Sequence, residues 1–346
     1  MVRAIVDAMT VSAPLRPAPV AGGGPGRLRL GVCLATVAAC VPYLTIKLAW
    51  LSGSTVGWDD PEAAKDSALY VGNAITMGMD AVAVAVVVAF TFRWGLRLPA
   101  WLVLTPMWIG AGLLAPIVVA VPIGALVQTL FSSAPLTASD NPLQGWVYGV
   151  VYTGFSFQAV GLITAFVLYA RRRWPDVFTV RTKDVPRGAT HSLQALLAYT
   201  ATVFALVFAA AQFYWAFGGT SGLTADELDY RGAVQRLADG IMGVLALVGA
   251  AALVAIVRRG ARPPRFAVPL AGVWLGAGTT FTWTLFELIT KLGDPEFLDS
   301  GSASALNLSG LAGLIAGLLM GVTGAVLLTE RDAHAQSASP TASRTP

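Results

Sequence analysis

Charge is scarce in this sequence. Asp, Glu, Lys and Arg make up 12% of its 346 residues, against roughly a quarter in an ordinary soluble domain. Lysine is rarer still, with 4 residues beside 19 arginines. The mean hydropathy of +0.67 agrees. This balance excludes a soluble enzyme and gives a multi-spanning membrane protein. Cysteine and histidine are nearly missing, with two of each. Cys33 and Cys40 share one apolar stretch, and seven residues of helix separate them by ~10 Å. A disulfide needs Cα atoms within roughly 7 Å, so both read as small buried residues. His191 and His334 fall at or beyond membrane ends, which leaves a haem or zinc site without its usual ligands.

Chemical motifs are equally sparse. The chain has no G-x-x-x-x-G-K-[ST], no H-E-x-x-H and no C-x-x-C. Asp59-Asp60 lacks the second acidic motif that Mg²⁺-diphosphate chemistry requires. Lys291 sits at a helix end, too far out to carry retinal. No cofactor and no metal site follow from the sequence, and no residue stands out as catalytic.

Apolar runs are what the sequence does have. Eight of them are long enough to cross ~30 Å of hydrocarbon: 28–51, 67–92, 100–131, 144–170, 191–217, 232–257, 266–290 and 305–329. The third holds Pro106, Pro116 and Pro122, so it is expected to tilt or kink. Residues 1–27 and 330–346 read as disordered cytoplasmic tails. The segment 171–190 reads as a basic cytoplasmic linker. Arginines and lysines gather before the first run, after the second, fourth and sixth, and after the last. Acids dominate the alternate loops. By the positive-inside rule both termini face the cytoplasm of a plasma-membrane protein. The net charge of +4 then belongs to these loops and gives no reason to expect a nucleic-acid partner.

The chain repeats itself. A shift of 165 residues lays Trp50-Leu-Ser-Gly53-Ser-Thr55-Val-Gly57 on Trp215-Ala-Phe-Gly218-Gly-Thr220-Ser-Gly222. Arg93-Trp-Gly95-Leu-Arg97-Leu-Pro99 falls on Arg258-Arg-Gly260-Ala-Arg262-Pro-Pro264. Without a gap, 14 of the 50 positions from Trp50 to Pro99 are identical. One residue of offset later, Trp108-Ile-Gly-Ala-Gly112 matches Trp274-Leu-Gly-Ala-Gly278. The expected fold is all-α: a polytopic bundle of eight helices in two parallel four-helix repeats, 28–170 and 191–329. Gly110, Gly112, Gly276 and Gly278 are candidates for close helix approach.

An ionisable group inside a span costs several kcal/mol or more, so each needs a partner or a task. Asp80 is the main candidate. It lies about 13 residues below the outer end of its span, ~20 Å by helical rise, with no basic residue on its own helix. Asn73, Thr76 and Asp80 share one helical face. Lys47 lies one turn below its own helix end, and snorkelling towards the outer surface accounts for it. By the same rise it is only ~7 Å deep, so a pair with Asp80 requires the spans to be shifted. Two intrahelical pairs are possible by spacing, Glu287 with Lys291 and Arg236 with Asp239. Gln158 and Asn307 are further polar points. Tyr148, Tyr152, Tyr214, Trp215 and Trp283 fit an aromatic belt.

The runs Pro42-Tyr43-Leu-Thr-Ile-Lys47-Leu-Ala-Trp50-Leu-Ser-Gly53, Arg93-Trp-Gly-Leu-Arg97-Leu-Pro99-Ala-Trp101 and Leu168-Tyr169-Ala-Arg171-Arg-Arg-Trp174 resemble a group of multi-spanning membrane proteins from actinobacterial genomes. Heavy use of Ala, Val and Gly, with Arg over Lys, fits that source. The resemblance implies no activity, cofactor or catalytic residue. Three functional readings follow from the residues themselves. The first is a transporter or permease-like protein that holds a small or lipophilic solute between the repeats. The second is a structural or regulatory subunit whose partners are the bilayer and another protein. The third is a membrane-embedded isomerase or cyclase in which Asp80 supplies a proton.

Overall fold

Inside hydrocarbon the backbone has no water to bond, so apolar runs of this length close their hydrogen bonds within helices. The computed structural model describes residues 26–62, 67–131, 143–223, 228, 231–260, 262, 264–292 and 304–338. Eight long helices account for most of them: α1 Arg27–Leu51, α2 Ser67–Thr91, α3 Ala100–Phe131, α4 Gly145–Arg173, α5 His191–Ala216, α6 Ala233–Val257, α7 Ala267–Leu292 and α8 Ser304–Ala338. Seven of them are long and apolar enough to cross a membrane. The eighth, α7, carries Thr279, Thr280, Thr282 and Thr284, all buried. Three of those hydroxyls donate to a carbonyl four residues back, which satisfies them without breaking the helix. α3 runs unbroken through its three prolines.

The chain divides into two compact units. One comprises 1–173 and 229–238, and the other 174–228 and 239–346. In the first, α1 packs on α2 and α4, and α3 packs on α2 and α4. The buried face of α1 is Cys33, Thr36, Cys40, Tyr43 and Lys47, a three-four spacing that draws one stripe along the helix. Both cysteines are free. α4 approaches this stripe through Gly161, where an added Cβ would lie 2.0 Å from Thr36 Oγ1. The far end of α4 is tied to the 3₁₀ turn Arg93–Arg97. Tyr169 is fully buried and donates to Gly95 O at 3.1 Å, while Arg173 donates to Leu98 O at 2.7 Å.

In the second unit, α8 packs on both α5 and α7. The buried face of α5 includes Ala198, Ala201, Ala205, Phe208 and Gln212. α6 and α7 touch backbone to backbone, since a Cβ on Gly276 would lie 2.5 Å from the Gly249 Cα. Gly276 is thus a close-approach residue as expected, whereas Gly110 faces open space. Trp215 departs from the belt reading. It is buried, and its indole donates to Ser221 O at 3.1 Å.

The turns that follow α1 and α5 have one construction. Gly53 and Gly57 adopt left-handed φ values, as do Gly218 and Gly222, a conformation that favours glycine. After α1, Gly53 N–H donates to Trp50 O, Ser54 N–H to Ala49 O and Trp58 N–H to Thr55 O. After α5, Gly218 N–H donates to Trp215 O, Gly219 N–H to Tyr214 O and Leu223 N–H to Thr220 O. Trp50 Nε1 donates to Val56 O at 2.7 Å, as Trp215 does to Ser221.

Two segment boundaries differ from the sequence reading. The stretch 171–190 is more than a linker. Its first three residues end α4, and the rest folds onto the second unit. There Thr182 N–H bonds Pro264 O, Phe266 N–H bonds Val180 O, and Arg259 Nη2 donates to Pro186 O at 2.8 Å. At the other boundary, α8 continues to Ala338, into the segment read as tail from Glu330. Glu330 is held by the start of α5: its carboxylate accepts from Thr190 N at 3.0 Å, Thr190 Oγ1 at 2.9 Å and Gln194 Nε2 at 2.7 Å. An anionic group at a helix N-terminus meets its unpaired N–H groups and favourable dipole end. Residues 1–25 and 339–346 of the tails lie outside the described residues.

Gly161→Ala is expected to destabilise by about 1–3 kcal/mol, because Thr36 is buried and must move. Gly78→Ala, with nothing within 4 Å of the added Cβ, is expected to leave stability unchanged or slightly raised. Thermal unfolding of both variants in detergent checks this, and equal losses would refute it.

Candidate functional site: a buried charged cluster in the first unit

Three helices supply the cluster. α1 brings Tyr43 and Lys47, one turn apart. α2 brings Thr76 and Asp80, also one turn apart. α4 brings Gln158. All are buried except Thr76, which is half-buried.

Lys47 has no exposed surface, and its Nζ lies 3.7 Å from Asp80 Oδ2. The ammonium also donates to Thr76 Oγ1 and sits 4.1 Å from the centre of the Tyr43 ring. Thr76 uses its own hydroxyl proton on Gly72 O at 2.8 Å, so its oxygen faces Lys47 as an acceptor. Gln158 Nε2 donates to Asp80 Oδ1 at 3.2 Å. Phe155 on α4 backs the Tyr43 ring edge-on, with centroids 4.9 Å apart.

This geometry corrects one expectation and joins two others. Lys47 does not snorkel but turns inward. The depths of ~7 Å and ~20 Å are each counted from a residue's own helix end, so they set no distance between the two side chains. The long lysine stem runs along apolar surface and carries the ammonium to Asp80. Asp80 and Thr76 do share a face towards the ammonium, as their spacing implies. Asn73, one turn further along α2, enters through its backbone: its carbonyl accepts a second, longer contact from Thr76 Oγ1 at 3.3 Å. Gln158 was visible in the sequence as an isolated polar residue and nothing tied it to Asp80. Tyr43 gave a weak signal, its four-residue spacing from Lys47.

The secondary pairs stand elsewhere. Asp239 is buried and Arg236 exposed. Glu287 is half-buried, and the Lys291 side chain lies outside the described residues, as does that of Asn307.

Magnitudes indicate what the pair does. Two unit charges at about 4 Å attract by ~4 kcal/mol at an effective dielectric of 20. Removing each ion from water costs several kcal/mol. The attraction therefore offsets only part of the cost of desolvating two ions, and the pair is a poor device for stability alone. The site is one carboxylate and one ammonium, neutral in sum. Among the described residues no group of three His, Cys, Asp or Glu side chains could hold a metal ion. What the cluster can do is bind a single positive charge.

No family model, curated protein or solved structure matches the chain.

The two charges differ in their means of escape. Lys47 is one turn from the end of α1, so in Asp80→Asn it can swing out to the helix end. In Lys47→Met the carboxylate stays stranded with Gln158. Lys47→Met is therefore expected to cost about 3–5 kcal/mol, the range for breaking a buried pair, and Asp80→Asn under about 2 kcal/mol. Denaturant unfolding in micelles measures both, and a larger loss for Asp80→Asn would contradict the account.

Proposed function

We propose that this chain is an eight-span plasma-membrane protein of two parallel four-helix repeats, with both termini cytoplasmic. We propose further that it acts as a transporter or permease-like protein for a small solute, with Lys47 and Asp80 as its responsive charged centre.

Several features support the duplication. An offset of 165 carries Gly53 and Gly57 onto Gly218 and Gly222, with left-handed φ at all four. It carries the Trp50 indole bond onto that of Trp215. It also carries all five buried residues of α1 onto buried residues of α5: Cys33 onto Ala198, Thr36 onto Ala201, Cys40 onto Ala205, Tyr43 onto Phe208 and Lys47 onto Gln212. The main segment of the first compact unit ends at Arg173, inside the stretch 171–190 that separates the two repeats, although that unit also takes in 229–238. Arginine-rich loops at alternate ends support the orientation, and the α7 threonines that bond their own helix are compatible with an eighth span.

One observation carries the functional reading. The second repeat has Gln212 for Lys47 and Leu245 for Asp80. In the second unit α8 packs on α5 and α7, with Gln212 and Leu245 at the positions that the offset sets against the pair. On this reading the second repeat keeps its α5–α8 and α7–α8 packing without these two charges. Their presence in one half only points to work other than packing, and intramembrane ion pairs commonly mark solute or ion pathways.

The test is transport by purified protein in proteoliposomes, with a panel of labelled small and lipophilic solutes and an imposed pH gradient. Asp80→Asn is expected to lower the rate for the transported solute at least tenfold while its Tm stays within a few degrees of wild type. Equal rates in both proteins would overturn the assignment of Asp80 and favour the structural or regulatory reading.

A further inference from the structure

The cluster resembles a filled binding site more than a fixed strut. Three features of the kind that recognise an ammonium surround the Lys47 Nζ: a carboxylate, a hydroxyl oxygen restricted to accepting, and the face of an aromatic ring. Each is prepared in advance. Thr76 has its proton on Gly72 O, and Gln158 occupies Asp80 Oδ1. Asp80 Oδ2 is buried, lies 3.7 Å from the ammonium, and has no hydrogen-bond partner. A buried carboxylate oxygen in that state retains acceptor capacity that its own lysine leaves unused. The Tyr43 ring is held edge-on by Phe155, so its face stays turned to the cation.

We propose that this is a site for a protonated primary amine, and that Lys47 is its tethered occupant in the resting protein. The inference rests on the transport reading and names the class of solute. An incoming alkylammonium takes the contacts of Nζ: Asp80 Oδ2, Thr76 Oγ1 and the Tyr43 face. Lys47 then swings to the end of α1, ~6 Å away by helical rise, where its stem lies along apolar surface and its charge reaches water. One ammonium replaces another beside one carboxylate. Charge is conserved at the site and no proton has to move. An anion is excluded by Asp80, and a neutral alcohol leaves the carboxylate without a counter-ion.

The probe is n-butylammonium, with n-butanol as the neutral control, titrated by calorimetry and thermal shift against the full-length protein in detergent. Wild type is expected to bind butylammonium and not butanol. Lys47→Met, relieved of its tethered competitor, is expected to bind at least tenfold more tightly and to gain Tm as the amine fills the stranded site. Asp80→Asn is expected to show no amine-dependent shift. Binding that survives Asp80→Asn would overturn the proposal. So would binding confined to Lys47→Met, which would mean chemical rescue of a structural pair. If Lys47→Met does not fold, the comparison of wild type with Asp80→Asn still decides. Failure here alongside Asp80-dependent transport of another solute would retire the amine class and leave the transport reading standing. Amine binding without any Asp80-dependent transport would do the reverse.

Discussion

Desolvation of one lysine and one aspartate is the constraint around which the first unit is arranged. Neither charge is tolerable alone in an apolar helix bundle. Lys47 has no exposed surface and lies 3.7 Å from Asp80, so each meets the other before it meets solvent. The neighbouring polar groups follow from that requirement. Thr76 accepts a hydrogen bond from the ammonium, Gln158 donates to the other oxygen of the carboxylate, and Tyr43 supplies an electron-rich face. Three helices must therefore hold a fixed mutual register, and the Gly161–Thr36 approach fixes α4 against α1 on the same stripe.

An offset of 165 residues sets Gln212 and Leu245 of the second unit against Lys47 and Asp80 of the first. Where the first buries Tyr43 and Lys47, the second buries Phe208 and Gln212. Its closest contacts come from small residues, as at Gly249 and Gly276, which let helix backbones touch where apolar burial gives little drive between helices in lipid. Its basic segment is also ordered by packing, and Glu330 caps the start of α5.

Helix positions were largely legible in the sequence because hydrocarbon leaves the backbone no alternative. The limits 28–51, 191–217 and 232–257 fall within a residue of Arg27–Leu51, His191–Ala216 and Ala233–Val257. The limit at 329 did not hold for α8, because charge ends an apolar run without ending a helix. Glu330 in fact gains from continuing, since it has a helix start to bond. The sequence named Lys47 and Asp80 and the condition for their contact, but not that the condition is met. The contact depends on the offset between two helices, which neither helix encodes alone, and on a glutamine from a third. Sequence spacing identified which residues share a face on one helix. It carried no information on which faces meet.

The central claim is that the charged pair is an addition to a frame that does not need it. The most direct measurement gives the first unit the residues of the second, Lys47→Gln together with Asp80→Leu, and determines stability by reversible unfolding in micelles. Replacing a buried ion pair by well-packed hydrophobic residues of similar volume is often neutral or stabilising, and a glutamine is buried at the lysine's place in α5. The account predicts stability within about 1 kcal/mol of wild type, with a native helical spectrum. A loss as large as that of Lys47→Met alone would contradict it and make the pair a structural necessity.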